Sequence, residues 1–195
     1  EALIRNFLIG SRFHQTSTGS RSPVYIAWDV PGHIPQLPQI LSQCGFEAIV
    51  FSRIDPTGPS RKIPGVPDLF QWHAPNGAAV YAQRIPFEQN AAEALDEQGR
   101  RLLELQQSEF PSLNAALFID SGTMRVPRPA ILGRCRDLAQ EEPALVVTGD
   151  SATKYFSCVH TLVKSGKMDL LPVTRGLTPF NAAAALTRMD LKIAT

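Results

Sequence analysis

Net charge, cysteine and long apolar runs are all in short supply in this protein of 195 residues, and each shortage closes off a class of function. Nineteen basic residues stand against 18 acidic ones, a formal net charge of +1. Such a balance gives no field to hold nucleic acid or an anionic membrane surface, and neither is expected as a partner. No apolar stretch approaches the ~20 residues that a membrane span needs. The three cysteines, Cys44, Cys135 and Cys158, are odd in number and far apart. They exclude a disulfide framework and a Cys-x-x-Cys metal site, and read as reduced core thiols. Residues 1–10 have neither the basic start nor the cleavage-type ending of a signal peptide, so a cytoplasmic location is the expectation. His14, His73 and His160 show no metal-ligand spacing.

What is present is organised around Val24 to Arg53. The apolar run Val24 to Trp28 predicts a buried strand ending on the carboxylate of Asp29. Pro31, Gly32 and His33 form a turn; Ile34 to Cys44 predicts a short helix stopped by Gly45; Glu47 to Phe51 predicts the next strand. This β-loop-α-β unit carries an acid at the carboxyl end of its first strand, the end at which α/β folds place their chemistry.

The flanking segments extend that pattern. Ala2 to Leu8 reads as an amphipathic helix, and Arg12 to Ser22 as a polar loop leading into the first strand. The proline-rich stretch Arg53 to Pro67 is a long connection. Leu69 to His73 and Ala79 to Ile85 predict two strands around a turn at Pro75-Asn76-Gly77, where Asn-Gly suits a tight hairpin. Ala91 to Phe110 reads as a helix with Ala92, Leu95, Leu102, Leu103 and Leu105 on its apolar face, followed by a buried strand, Ala115 to Ile119, ending at Asp120. Pro127 to Gln140 is helical, Ala144 to Thr148 a strand, and Ala152 to Lys164 a helix capped by Asp150 or Ser151; Asp169 to Val173 and Leu186 to Ile193 complete the sequence. The alternation predicts a single α/β domain over 1–195: a mainly parallel sheet or incomplete β/α barrel with flanking helices and one hairpin near residues 69–85.

The run Gln36-Leu37-Pro38-Gln39-Ile40-Leu41, placed after an Asp-x-x-Gly-His turn and before Gly45-Phe46 and a strand reaching Arg53, resembles glycoside hydrolase family 38, the zinc-dependent α-mannosidases. The opening Glu1-Ala2-Leu3 with Arg5-Asn6, and Phe70-x-Trp72 with Pro75-Asn76-Gly77, are similar to family segments in the same order; the family's Asp is Asn76 here. Weaker similarity continues through Leu171-Pro172 and Thr187-Arg188. The abrupt start at Glu1 is then expected of part of a catalytic N-terminal domain cut from a longer mannosidase, whose remainder would be its partner.

The resemblance implies a retaining glycosidase that cleaves terminal α-mannosides of a mannoside or oligosaccharide, with Asp29 as both nucleophile and zinc ligand. A turn or helix-capping Asp is the alternative. Arg53, at the end of the following strand, is assigned to the substrate site, where a cation would also keep Asp29 ionised; a surface Arg is the alternative. Trp72 is assigned to sugar stacking, against a core residue. His33 is read as a hydrogen-bonder of the turn, not a ligand.

Departures are as informative. The sequence holds no His-x-Asp pair, the family's other zinc ligands, so zinc is implied for the parent family but not for these 195 residues by themselves. Met124 stands where the family's acid/base Asp is expected, which leaves Asp120 as the candidate substitute. Pro31 replaces a Phe, and Leu177 a Glu. A non-catalytic carbohydrate-binding or interaction module on the same fold is therefore the alternative function; a polysaccharide deacetylase-like enzyme would need a His-x-x-x-His pair that is absent.

Overall fold

Four apolar residues in a row, Ala48 to Phe51, form a strand buried along its whole length, and the sheet is laid out on either side of it. In the computed structural model the described residues are 1–28, 30, 32–52, 65–85, 95–119, 130–141 and 151–177. They divide into two compact units: Glu1–Phe87 with Leu170–Thr195, and Glu88–Asp169.

The first unit holds the sheet. Its strands are β1 (Val24–Ala27), β2 (Ala48–Phe51), β3 (Leu69–His73), β4 (Ala79–Arg84) and β5 (Pro172–Val173), in the order β1-β2-β4-β3-β5. β1 with β2, β2 with β4 and β3 with β5 pair in parallel, and the β3–β4 hairpin is antiparallel. This is the expected mainly parallel sheet with one hairpin, open rather than closed among the described residues. A strand buried on both faces reads as a continuous apolar run, which is why β2 has no alternation. Between β1 and β2 lies helix α2 (Leu37–Gln43), with Leu37, Pro38 and Leu41 buried and a proline in its first turn, where the missing N–H costs nothing. It is shorter than the expected Ile34–Cys44; Gly45 at φ +85 ends it in a conformation that suits glycine. The core gathers Leu37, Leu41, Ile49, Phe51, Phe70, Trp72, Val80 and Ala82.

Helix α1 (Ala2–Thr18) corrects one expectation, since it runs through the predicted loop to Thr18. The hydroxyls at 16 and 18 that read as loop chemistry donate instead to the carbonyls of Phe13 and His14, at 2.9 and 2.8 Å. Gly19, at φ +78, closes the helix with its N–H on the Gln15 carbonyl. Phe7 anchors α1, with its ring 4.9 Å from Tyr25 on β1 and 5.6 Å from Phe46, both edge-on.

The second unit is helical in its described residues: α3 (Leu95–Glu109), α4 (Ala130–Glu141) and α5 (Ala152–Lys164). Ser151 takes the N-cap of α5 in an extended conformation, and Tyr155, Phe156 and Val159 are its buried face. Three expectations are corrected here. Leu105 is exposed and Gln106 buried, because the inward stripe of α3 continues into Phe110 and not through 105. Ala115 to Ile119 forms no strand; it is half-buried and has no ladder partner among the described residues. Of the cysteines only Cys44 is a core thiol, Cys135 being half-buried and Cys158 exposed. The expected strand Ala144–Thr148 and the closing segment Leu186–Ile193 lie outside the described residues.

Candidate active-site edge

Because β1, β2 and β4 are mutually parallel, their carboxyl ends share one edge of the sheet. The register sets Ala27 beside Phe51 and Phe51 beside Arg84. In sequence, Asp29 follows two residues after Ala27 and Arg53 two residues after Phe51. Asp29, Arg53, Asp120 and Met124 themselves lie outside the described residues. Trp28 and Ser52, which immediately precede Asp29 and Arg53, follow the ends of β1 and β2, and Ser52 is fully buried.

The edge carries polar chemistry that was not singled out in the sequence. Arg84 is almost wholly buried, and its Nε donates to Asp68 Oδ1 at 2.6 Å. The same two residues are joined by the backbone, Arg84 N–H to the Asp68 carbonyl at 2.7 Å. Buried Gln83 donates through Nε2 to the Arg84 carbonyl at 3.0 Å. A buried cation is tolerated only with a partner, and this one is tied into the end of the hairpin. The signal was available: pairing Leu69 with Gln83 necessarily sets Asp68 against Arg84. It needed the hairpin register, not either residue's type.

His33 sits between the edge and the core. It bridges to Leu177, His33 N–H to the Leu177 carbonyl at 2.8 Å and Leu177 N–H to the His33 carbonyl at 3.0 Å, so the turn is fastened to the segment after β5. Its ring lies 5.3 Å from Phe51 and 6.1 Å from Trp72, and Nε2 has no hydrogen-bond partner among the described residues. Burial pushes its pKa down from 6.5 to about 4, since an imidazolium would be stripped of water among aromatic rings. The imidazole is therefore neutral at pH 7. Among the described residues, the bonds that fasten this turn are made by the backbone of His33.

Trp72 is fully buried, and its indole N–H donates to the Arg175 carbonyl at 2.9 Å. It pairs with Val80, four residues before Arg84, so its backbone stands roughly 13 Å from the carboxyl edge. That is the placement of a core residue, the alternative weighed for it above. Among the described residues no group of three His, Cys, Asp or Glu side chains gathers where it could hold a metal ion.

The model of the glycosyl hydrolases family 38 N-terminal domain matches residues 1–170. The chain belongs to glycoside hydrolase family 38. Among solved structures, this family 38 domain is similar to an α-mannosidase from Enterococcus faecalis V583, at 17% identity and a TM-score of 0.66, over 89% of this chain and 20% of that one. The likeness carries the fold, and the domain spans about a fifth of the length of that mannosidase. No curated protein matches it significantly.

Proposed function

We propose that this family 38 domain is the part of an α-mannosidase that supplies the nucleophile, Asp29, for retaining hydrolysis of terminal α-mannosides. Family membership over residues 1–170 carries the reading, with the Gln36–Leu41 run intact between two parallel strands. β1 and β2 end on one edge, so the sequence delivers an acid and a cation, Asp29 and Arg53, just beyond neighbouring strand ends. Asp29 would attack the anomeric carbon, and Arg53 would hold it ionised and bind sugar hydroxyls. Asp68 neutralises Arg84 and ties it to the end of the hairpin.

The family's zinc, with Asp29 among its ligands, belongs to the whole mannosidase in this reading. The sequence holds no His-x-Asp pair and one carboxylate does not fill a tetrahedral site, so the 195-residue domain on its own would bind zinc weakly. The remaining mannosidase polypeptide is the partner that completes the site.

Met124 at the acid/base position shapes the activity. A thioether gives no proton to a departing sugar alcohol, and general acid catalysis is worth roughly 10²–10⁴-fold. An aryl α-mannoside with a nitrophenol leaving group needs far less protonation. Joined to the complementary segments of an active relative, the domain should act on such a substrate much better than on mannose disaccharides. Met124→Asp should narrow the difference, and Asp29→Ala should abolish both activities. Equal rates on both substrates would assign the acid to another group, Asp120 first. Absence of both activities together with specific mannoside binding would favour the carbohydrate-binding module.

A further inference from the structure

The hairpin between β3 and β4 brings together an asparagine, a glycine and a polarising N–H in a water-exposed turn. Pro75, Asn76 and Gly77 are exposed, and Asn76-Gly77 is the one Asn-Gly in the sequence. Ala74 N–H donates to the Ala78 carbonyl at 2.8 Å, and Gly77 N–H to the Ala74 carbonyl at 2.9 Å. Ala78 N–H donates to Asn76 Oδ1 at 3.2 Å. That last bond holds the Asn76 side chain against the backbone of the turn. Gly77 itself has φ +84 and open space where a Cβ would stand.

We propose that Asn76 is a site of spontaneous deamidation in the folded protein. The backbone nitrogen of Gly77, having lost its proton to base, attacks Asn76 Cγ. The Ala78 N–H polarises the carbonyl under attack, as an oxyanion donor does, and holds Cγ in place for closure. A bond forms between the Gly77 nitrogen and Cγ, the bond from Cγ to Nδ2 breaks, and Nδ2 leaves with a proton as ammonia. Water then opens the five-membered imide at either carbonyl, giving aspartate or isoaspartate without change of oxidation state. Glycine matters because no side chain hinders the attacking nitrogen. The Gly77 bond to the Ala74 carbonyl opposes the step, but its donor lies at the exposed tip of the turn. The product adds a carboxylate to the turn, and isoaspartate also lengthens the backbone by one carbon between two paired strands.

The test uses the folded 195-residue protein, incubated in mildly alkaline and in mildly acidic buffer and then digested with trypsin. The peptide ending at Arg84 should lose its amide form with time, faster in alkali, and yield both aspartate and isoaspartate at 76. Asn6, Asn90, Asn114 and Asn181, each followed by a residue with a side chain, serve as internal references and should stay amidated. Asn76 left intact over a period in which a free peptide of residues 69–84 converts would overturn the proposal, by showing that the hairpin protects it. Aspartate without isoaspartate would also overturn it, since direct hydrolysis does not involve Gly77.

Discussion

β1 and β2 are neighbouring strands of equal length and similar apolar composition, Val-Tyr-Ile-Ala against Ala-Ile-Val-Phe, yet they live in different environments. Ile49 on β2 is fully buried, whereas Ile26 on β1 is 50% exposed. β2 has a strand on each side, β1 and β4, while β1 is paired only with β2 among the described residues. What separates them is position in the sheet, not sequence. Stability is thus concentrated in the middle of the sheet, and the acid proposed as nucleophile follows the outer strand in sequence. Edge positions are the less stable ones in a fold and the ones to which other polypeptide can add.

The largest effect is expected at the far side of β2. Arg84→Met would strand the Asp68 carboxylate at the hairpin end and should cost about 3–5 kcal/mol of stability, measured by denaturant unfolding. A loss below ~1 kcal/mol would mean that the pair does not hold the carboxyl edge together. The isoleucine pair sharpens the contrast directly. Ile49→Ala should cost about 2–5 kcal/mol, whereas Ile26→Ala should stay within about 0.5 kcal/mol. Similar losses at the two sites would show β1 to be as enclosed as β2.

His33 couples the edge to pH. Its folded pKa of about 4 lies below the ordinary 6.5, so protonation favours the unfolded state. Its contribution is constant above pH 6.5 and is lost as pH falls from there toward 4, by about 3 kcal/mol in all. A His33→Phe variant should lack that slope; parallel stability–pH curves for the two proteins would refute the neutral, enclosed imidazole. The smallest effect is expected from metal. Titration of zinc into the 195-residue protein should give little or no heat, and tight stoichiometric binding would reveal ligands beyond Asp29.

The β1-α2-β2 unit was legible because each of its parts has a local cause: an apolar run, a proline in the first turn and a glycine at the stop. The hairpin was legible from Asn76-Gly77 for the same reason. The length of α1 was not, because serine and threonine serve a loop or bond back onto a helix equally well. The burial of Gln106 in place of Leu105 depends on which face of α3 finds a partner, a tertiary matter. Arg84 and Asp68 carry no motif; only the pairing of β3 with β4 joins them. For Trp72 two readings were open, sugar stacking and core, and its burial with the indole N–H on the Arg175 carbonyl favours the core. For the site, the sequence named Asp29 and Arg53 through family motifs, and the sheet adds that β1 and β2 point to one edge.

The proposed role of Asp29, nucleophile of a retaining α-mannosidase, is open to a covalent test. It is tested most directly by trapping the intermediate in the domain joined to the segments it needs for activity. A fluorinated mannosyl fluoride forms the glycosyl-enzyme but slows its hydrolysis, so the labelled peptide can be sequenced by mass spectrometry. One mannosyl group is expected, on the peptide containing Asp29, and none in Asp29→Ala. A label on another carboxylate, Asp120 included, or turnover with no covalent label at all, would contradict that role.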